Sequence, residues 1–198
     1  MKKIFYLTGK SASGKDSIYR MLLDTKGLSL SPIVIYTTRP KREGEVEGRE
    51  YHFVDEAAYR DLEERGEVIE CRTYDTVHGP WRYFTVKTGI GSLRDYLLGI
   101  GTLESFIKVK EHFGPDVVIP IYIRVDDGDR LIRAINREKE SNNPDYREMC
   151  RRFLADDEDF SEEKLREAGI TEQNTFDNDD LSICIDSIRS MISGYQSQ

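Results

Sequence analysis

The stretch Ile4-Phe5-Tyr6-Leu7-Thr8-Gly9, followed by Lys10-Ser11-Ala12-Ser13-Gly14-Lys15-Asp16-Ser17, constrains the fold more than any other part of the chain. Five apolar or branched residues end at a glycine, the signature of a strand buried on both faces. Beyond Lys15, residues Ile18, Met21 and Leu22 recur at three- and four-residue spacing and give a helix one apolar face. Between the two, Gly9, Gly14 and Lys15 fit the G-x-x-x-x-G-K spacing of a phosphate-binding loop. Glycine permits positive φ and close approach, so backbone N–H groups from Gly9 to Ser17 can converge on phosphate oxygens at the start of the helix. Lys15 would neutralise β- and γ-phosphate charge. A plain strand-to-helix turn is the alternative, and the placement between strand and amphipathic helix favours phosphate.

The position after the lysine usually carries a hydroxyl and here holds Asp16. A carboxylate is a hard oxygen ligand suited to Mg²⁺, directly or through water, with Ser17 as the neighbouring hydroxyl. The other reading of Asp16 is a partner for the positive end of the helix dipole.

At 198 residues the chain suits one core with insertions and is too short for two large independent domains. A net charge of -8 argues against a sequence-independent grip on nucleic acid or an anionic membrane. No stretch approaches the roughly 20 apolar residues of a membrane span. The start MKKIFYLTGK turns at Gly9, too soon for a secretion signal. The expectation is a cytoplasmic protein, monomer or homodimer, with small-molecule partners and neither nucleic acid nor membrane among them. Cys71, Cys150 and Cys184 form no C-x-x-C pair and read as buried or incidental thiols. His52, His78 and His112 carry no expected chemistry, His78 in the turn-like HGPW being the least settled.

Further along, Pro32–Tyr36 reads as a strand, TTRPKREGEVEGRE as a polar loop and 51–54 as a strand. Asp55 then caps a helix over 56–65, which Gly66 stops. Strands are expected at 68–71 and 81–86 around a turn at 78–80, making this region a β-rich insertion. Strands at 96–100 and 117–125, with a helix over 102–113 between them, suggest crossover units and a parallel sheet. Pro120 favours an edge or irregular stretch. A helix over 128–140, a break at Asn142-Asn143-Pro144, a second helix through Arg152 and a last helix over 181–192 follow. The acidic run DDEDFSEEK reads as solvated surface.

Arg133 and Arg137 lie four apart and would share a helix face, with Arg152 on the second helix of the same unit. Such a cluster could close over phosphates, guanidinium forks suiting phosphoryl oxygens. The alternative is ion pairing with Glu138, Glu140, Asp156 and Asp157. Arg39 and Arg42 flank Pro40-Lys41 in a polar loop and could hold a second anion.

With these residues in place, the chain resembles the guanylate kinase family of P-loop nucleoside monophosphate kinases. The most specific stretch is TTRPKREGEVEGREYHFV, close to the family's Thr-Thr-Arg-x-Pro-Arg-x-Gly-Glu-x-x-Gly-x-x-Tyr-x-Phe. The resemblance implies an α/β P-loop NTPase fold, a parallel sheet flanked by helices. It would be a single domain with a core of 1–32, 88–128 and 156–198, a monophosphate-binding insertion over 33–87 and a helical lid over 129–155. It implies ATP as co-substrate, Mg²⁺, and GMP as acceptor. Arg39, Arg42 and Tyr51 would bind the acceptor phosphate. Glu70 would read guanine's ring N–H and amino group, with Thr85 touching base and Tyr83 touching phosphate. Arg133 and Arg137 match lid arginines over ATP, Arg152 an arginine near the transferring group, and Asn178-Asp179-Asp180-Leu181 a turn near adenine.

Several positions depart from the family. Asp16 replaces Ser or Thr and Ala12 replaces glycine. Ile35 stands where a base-contacting serine is usual, and Gly101 where a second guanine-reading aspartate is usual. The link from Val86 to Gly101 is also short. These departures keep two rivals open: a same-fold kinase for another acceptor such as a sugar phosphate, and a non-catalytic module binding a phosphorylated peptide.

Overall fold

The computed structural model describes residues 3–76, 79–90 and 96–197. In chain order the first half comprises β1 (Ile4–Thr8), α1 (Lys15–Leu23), β2 (Leu30–Pro32), β3 (Tyr36–Thr37), β4 (His52–Phe53), α2 (Glu56–Glu64), β5 (Val68–Thr76) and β6 (Gly79–Val86). The second half comprises α3 (Lys87–Ile90), β7 (Tyr96–Ile100), α4 (Leu103–Phe113), β8 (Val118–Arg124), α5 (Asp127–Glu140), α6 (Tyr146–Asp159), α7 (Glu162–Glu167), β9 (Thr175–Asp177) and α8 (Leu181–Gln196). His78 and part of its expected turn lie outside the described residues, as does much of the short link before Gly101.

Five strands form one parallel sheet in the order β2-β7-β1-β8-β9. All five residues of β1 are buried, and their alternation divides the core. Ile4 and Tyr6 join Leu97, Phe106, Val118 and Tyr122 on one face. Phe5 and Leu7 join Ile18 and Leu22 of α1 and Ile185 and Ile188 of α8 on the other. Each such side chain contributes about 1.5–3 kcal/mol on burial, so this central strand pins the loop that leaves its end.

The apolar run expected as one strand over 32–36 serves two sheets instead. The Ile33 N–H donates to the Leu98 carbonyl at 2.8 Å, after which Tyr36 pairs with His52 and Phe84 in a second sheet, β4-β3-β6-β5. Pro120 is interior to β8 rather than at an irregular edge. It sits opposite Tyr6 of β1, while β9 pairs only from Tyr122 onward, so the missing N–H falls where β8 has a partner on one side only. The helix expected to run through Arg152 continues to Asp159. Among the described residues no helix is long and apolar enough to cross a membrane.

Candidate functional site

The loop between β1 and α1 is shaped by three backbone positions. Gly14 caps α1 at φ 87°, and Ala12 also lies in the left-handed region at φ 61°, where glycine is the residue that fits most easily. A Cβ on Gly9 would stand 2.7 Å from the Ile123 carbonyl oxygen. The Ser13 hydroxyl is buried in the loop without a partner among the described residues.

The loop is braced from behind. Asn178 donates from Nδ2 to the Ser13 carbonyl at 2.8 Å, and Arg133 donates to the Asn178 carbonyl at 2.9 Å. Asp156 accepts the Ser11 N–H at 2.8 Å and Nη1 of Arg130 at 2.9 Å. Arg130, only 1% exposed, also donates to the Ser11 carbonyl at 3.1 Å and to Asp127 at 2.7 Å. Lys10 bridges Asp157 at 2.8 Å and Asp127 at 3.3 Å. Burial opposes its charge, but these carboxylates hold the ammonium above its ordinary pKa.

The acidic run is therefore not simply solvated surface. Asp156 is buried and ties the end of α6 to the loop, because the Ser11 N–H and the Arg130 guanidinium converge on it. Spacing alone could not reveal this, since the partners lie 145 and 26 residues away.

Lys15 is half-exposed, and Asp16 and Ser17 are exposed in the first turn of α1. None of the three side chains has a hydrogen-bond or ion-pair partner among the described residues. No cluster of three or more His, Cys, Asp or Glu suited to a metal occurs there either. A Mg²⁺ ion needs only one or two carboxylates when substrate phosphates and waters complete its shell, so the Asp16 and Ser17 donor set fits an ion carried by a nucleotide.

Across the second sheet, Arg39 is 3% exposed. Its guanidinium forks onto Glu45 at 2.7 and 3.1 Å and donates from Nε to the Tyr83 hydroxyl at 3.1 Å. The Tyr51 ring lies 5.4 Å away and meets Tyr83 edge-on. Glu45 also accepts the Arg42 N–H at 2.7 Å, while the Arg42 side chain faces solvent. The Arg39 fork and then the Arg42 N–H hold the Glu45 carboxyl below its ordinary range.

Two residues along the same strand pair, Glu70 stands opposite Thr85 and Arg72 opposite Tyr83. Buried Glu70 accepts the Thr85 hydroxyl at 2.6 Å and the Ser105 hydroxyl at 3.5 Å. Ser105 opens α4 beneath the Thr102 cap. Ile35 packs against the core, and a Cβ on Gly101 would collide with the Tyr6 hydroxyl. Burial above all, and then Glu70, raise the pKa of that hydroxyl.

Of the three arginines expected over the phosphates, Arg133 is tied to Asn178, while Arg137 and Arg152 are held loosely. Arg137 lies 3.9 Å from Glu138, and Arg152 donates to Glu148 at 2.7 Å beside Arg151. These exposed pairs are worth about 0–1 kcal/mol, little resistance to a phosphate. Sequence reasoning missed Glu45, Arg72, Ser105, Arg130 and Asp156. Glu45 lay within the recognised acceptor stretch, and Arg72 follows Glu70 at the two-residue spacing of one strand face.

The family model of guanylate kinase matches residues 1–178. A guanylate kinase of Syntrophomonas wolfei subsp. wolfei is 39% identical over 121 residues, 60% of this chain and 60% of its own length. One from Nitrobacter winogradskyi is 34% identical over 144 residues, 66% of this chain and 64% of its own. The chain thus spans under two thirds of the length of these two relatives. A guanylate kinase of Rhodopseudomonas palustris is 28% identical over 202 residues, covering 98% of this chain and 82% of its own. The crystal structure of guanylate kinase from Anaplasma phagocytophilum shares the fold with a TM-score of 0.59 at 22% identity, over 100% of this chain and 87% of that one.

Proposed function

The chain belongs to the guanylate kinase family, and from that membership we propose that it transfers the γ-phosphoryl group of ATP to the phosphate of a nucleoside monophosphate, with GMP as the acceptor that suits the site. The observation that carries this reading is the second sheet's single face. There the Arg39–Tyr51–Tyr83 cluster and the Glu70–Thr85 pair stand two residues apart, about 7 Å along the strands. One end suits a phosphate and the other a base.

The acceptor phosphate is already an anionic nucleophile, so positioning and charge neutralisation carry the rate without a general base. Backbone N–H groups of the 9–17 loop hold the ATP phosphates, Lys15 meets the transferring group, and Asn178 keeps the loop in shape. Arg39, Arg42, Tyr51 and Tyr83 orient the acceptor phosphate. Arg133, Arg137 and Arg152 close from the lid over 129–155 and exclude water, while the insertion over 33–87 carries the acceptor towards the core of 1–32, 88–128 and 156–198. Asp16 and Ser17 would hold Mg²⁺, which supplies further charge neutralisation on the phosphates when bound. A cytoplasmic location agrees with nucleotide substrates.

An ADP-release assay with GMP, AMP, dTMP and a ribose phosphate tests the reading. GMP turnover is the expected result. Turnover of another acceptor without GMP would overturn the guanine assignment, and absence of ATP binding by calorimetry with Mg²⁺ present would favour the binding module.

A further inference from the structure

Beside Glu70 stands a cation that the reading above leaves unused. Arg72 follows Glu70 by two residues on β5, so both project from one face of the sheet. Its Nε lies 3.3 Å from Glu70 Oε2 and is closed off from solvent, yet it is out of line for a hydrogen bond. The other guanidinium nitrogens have no hydrogen-bond partner among the described residues. A guanidinium carries five N–H donors, and only the Nε of Arg72 is sealed from solvent, so its Nη donors are open to water or to an acceptor oxygen on a ligand.

A second observation points the same way. At Gly101, a Cβ would run into the Tyr6 hydroxyl, so no second acid has room there. The pocket offers one acceptor group, Glu70, and one strong donor group, Arg72, side by side. Two carboxylates would match a pair of donors on the ligand. One carboxylate beside one guanidinium matches a donor next to an acceptor.

We propose that Arg72 reads the acceptor base together with Glu70, and that the pair recognises the –NH–C(=O)– edge of a 6-oxopurine. Glu70 accepts from the ring N1–H and Arg72 donates to the O6 carbonyl. Guanine and hypoxanthine share this edge, and the 2-amino group that distinguishes them has no dedicated second carboxylate. Adenine reverses both positions, setting its unprotonated N1 against the carboxylate and its amino group against the guanidinium. The substrate class is thus 6-oxopurine nucleoside monophosphates, GMP and IMP alike. This inference rests on the phosphoryl-transfer reading of the same site.

The test measures kcat/KM for GMP, IMP and AMP by ADP release, in the unmodified protein and in Arg72→Gln, which keeps a neutral donor beside Glu70. IMP is expected within about tenfold of GMP and AMP at least about a hundredfold below, a gap of the size that unpaired polar groups impose. Arg72→Gln should raise KM for GMP and IMP about tenfold, leave KM for ATP unchanged and narrow the margin over AMP, while the melting temperature falls because Glu70 loses its charged partner. A purely structural role would leave the GMP-to-AMP ratio alone, which would overturn the proposal. GMP turnover with IMP more than a hundredfold worse would overturn it while leaving the kinase reading intact, and this ratio decides even if the variant fails to fold. Turnover of neither GMP nor IMP would sink both.

Discussion

Arg39 in the acceptor sheet is almost wholly buried and forked onto Glu45, whereas Lys15 at the start of α1 is half-exposed and unpaired among the described residues. At the acceptor end the cation is fixed and carries its own counter-anion. At the loop end the backbone is fixed, by Asp156 and Asn178, and the cation has no partner among the described residues. Preorganised charge acts most strongly where no reorganisation is needed at the moment of reaction, so under the proposed function the Arg39 end would bind the acceptor and Lys15 would follow the transferring group. A phosphate reaching Arg39 meets a guanidinium that Glu45 already holds in orientation.

Lys15→Ala should break the contrast most severely. It removes a charge for which no other described side chain substitutes, and kcat should fall about 1000-fold or more in a coupled assay. Near-normal turnover would refute the loop's assignment. Asp156→Asn comes next, because it leaves buried Arg130 facing an uncharged partner. A loss of about 3 kcal/mol in denaturant unfolding and a KM for ATP raised about tenfold are expected, with the acceptor KM unmoved. If the acceptor KM moved equally, the two ends would not be separable.

Glu45→Gln should act on the other end alone and raise the acceptor KM about fivefold by loosening the Arg39 fork, with KM for ATP unchanged. Because Arg39 depresses the Glu45 pKa, this pair contributes to stability above the ordinary value of 4.5 and loses that contribution as pH falls through the lower folded value. The unmodified protein should therefore lose more of its melting temperature below pH 4.5 than the variant does. The smallest change is Asp16→Ser. It should raise the Mg²⁺ concentration for half-maximal rate about threefold, and an unchanged Mg²⁺ profile would leave Asp16 as a partner of the helix dipole.

The central sheet was legible in the sequence because β1, β7 and β8 are continuous apolar runs, and the loop because glycine spacing is a local property. The acceptor stretch was legible through its likeness to a family motif. Asp156 was not, since its meaning depends on a helix end meeting a loop far away in the chain, and an acidic run looks the same whether solvated or docked. Arg72 was passed over for a related reason. Alternation on a strand says which residues share a face, but only the packed sheet shows that Arg72 meets buried Glu70 there. The break at 33–35 was hidden because an apolar run carries no mark of which sheet each half will join.

The clash between Tyr6 and any side chain at position 101 bears on how this chain can change by descent. Adding an acid at Gly101 in one step would drive it into a fully packed tyrosine on the central strand. Shrinking Tyr6 first would open a void between β1 and α4. Either first step is penalised, and only the two together are tolerable. A carboxylate at position 101 is therefore reached only through a paired change of Tyr6 and Gly101, a barrier that single substitutions do not cross.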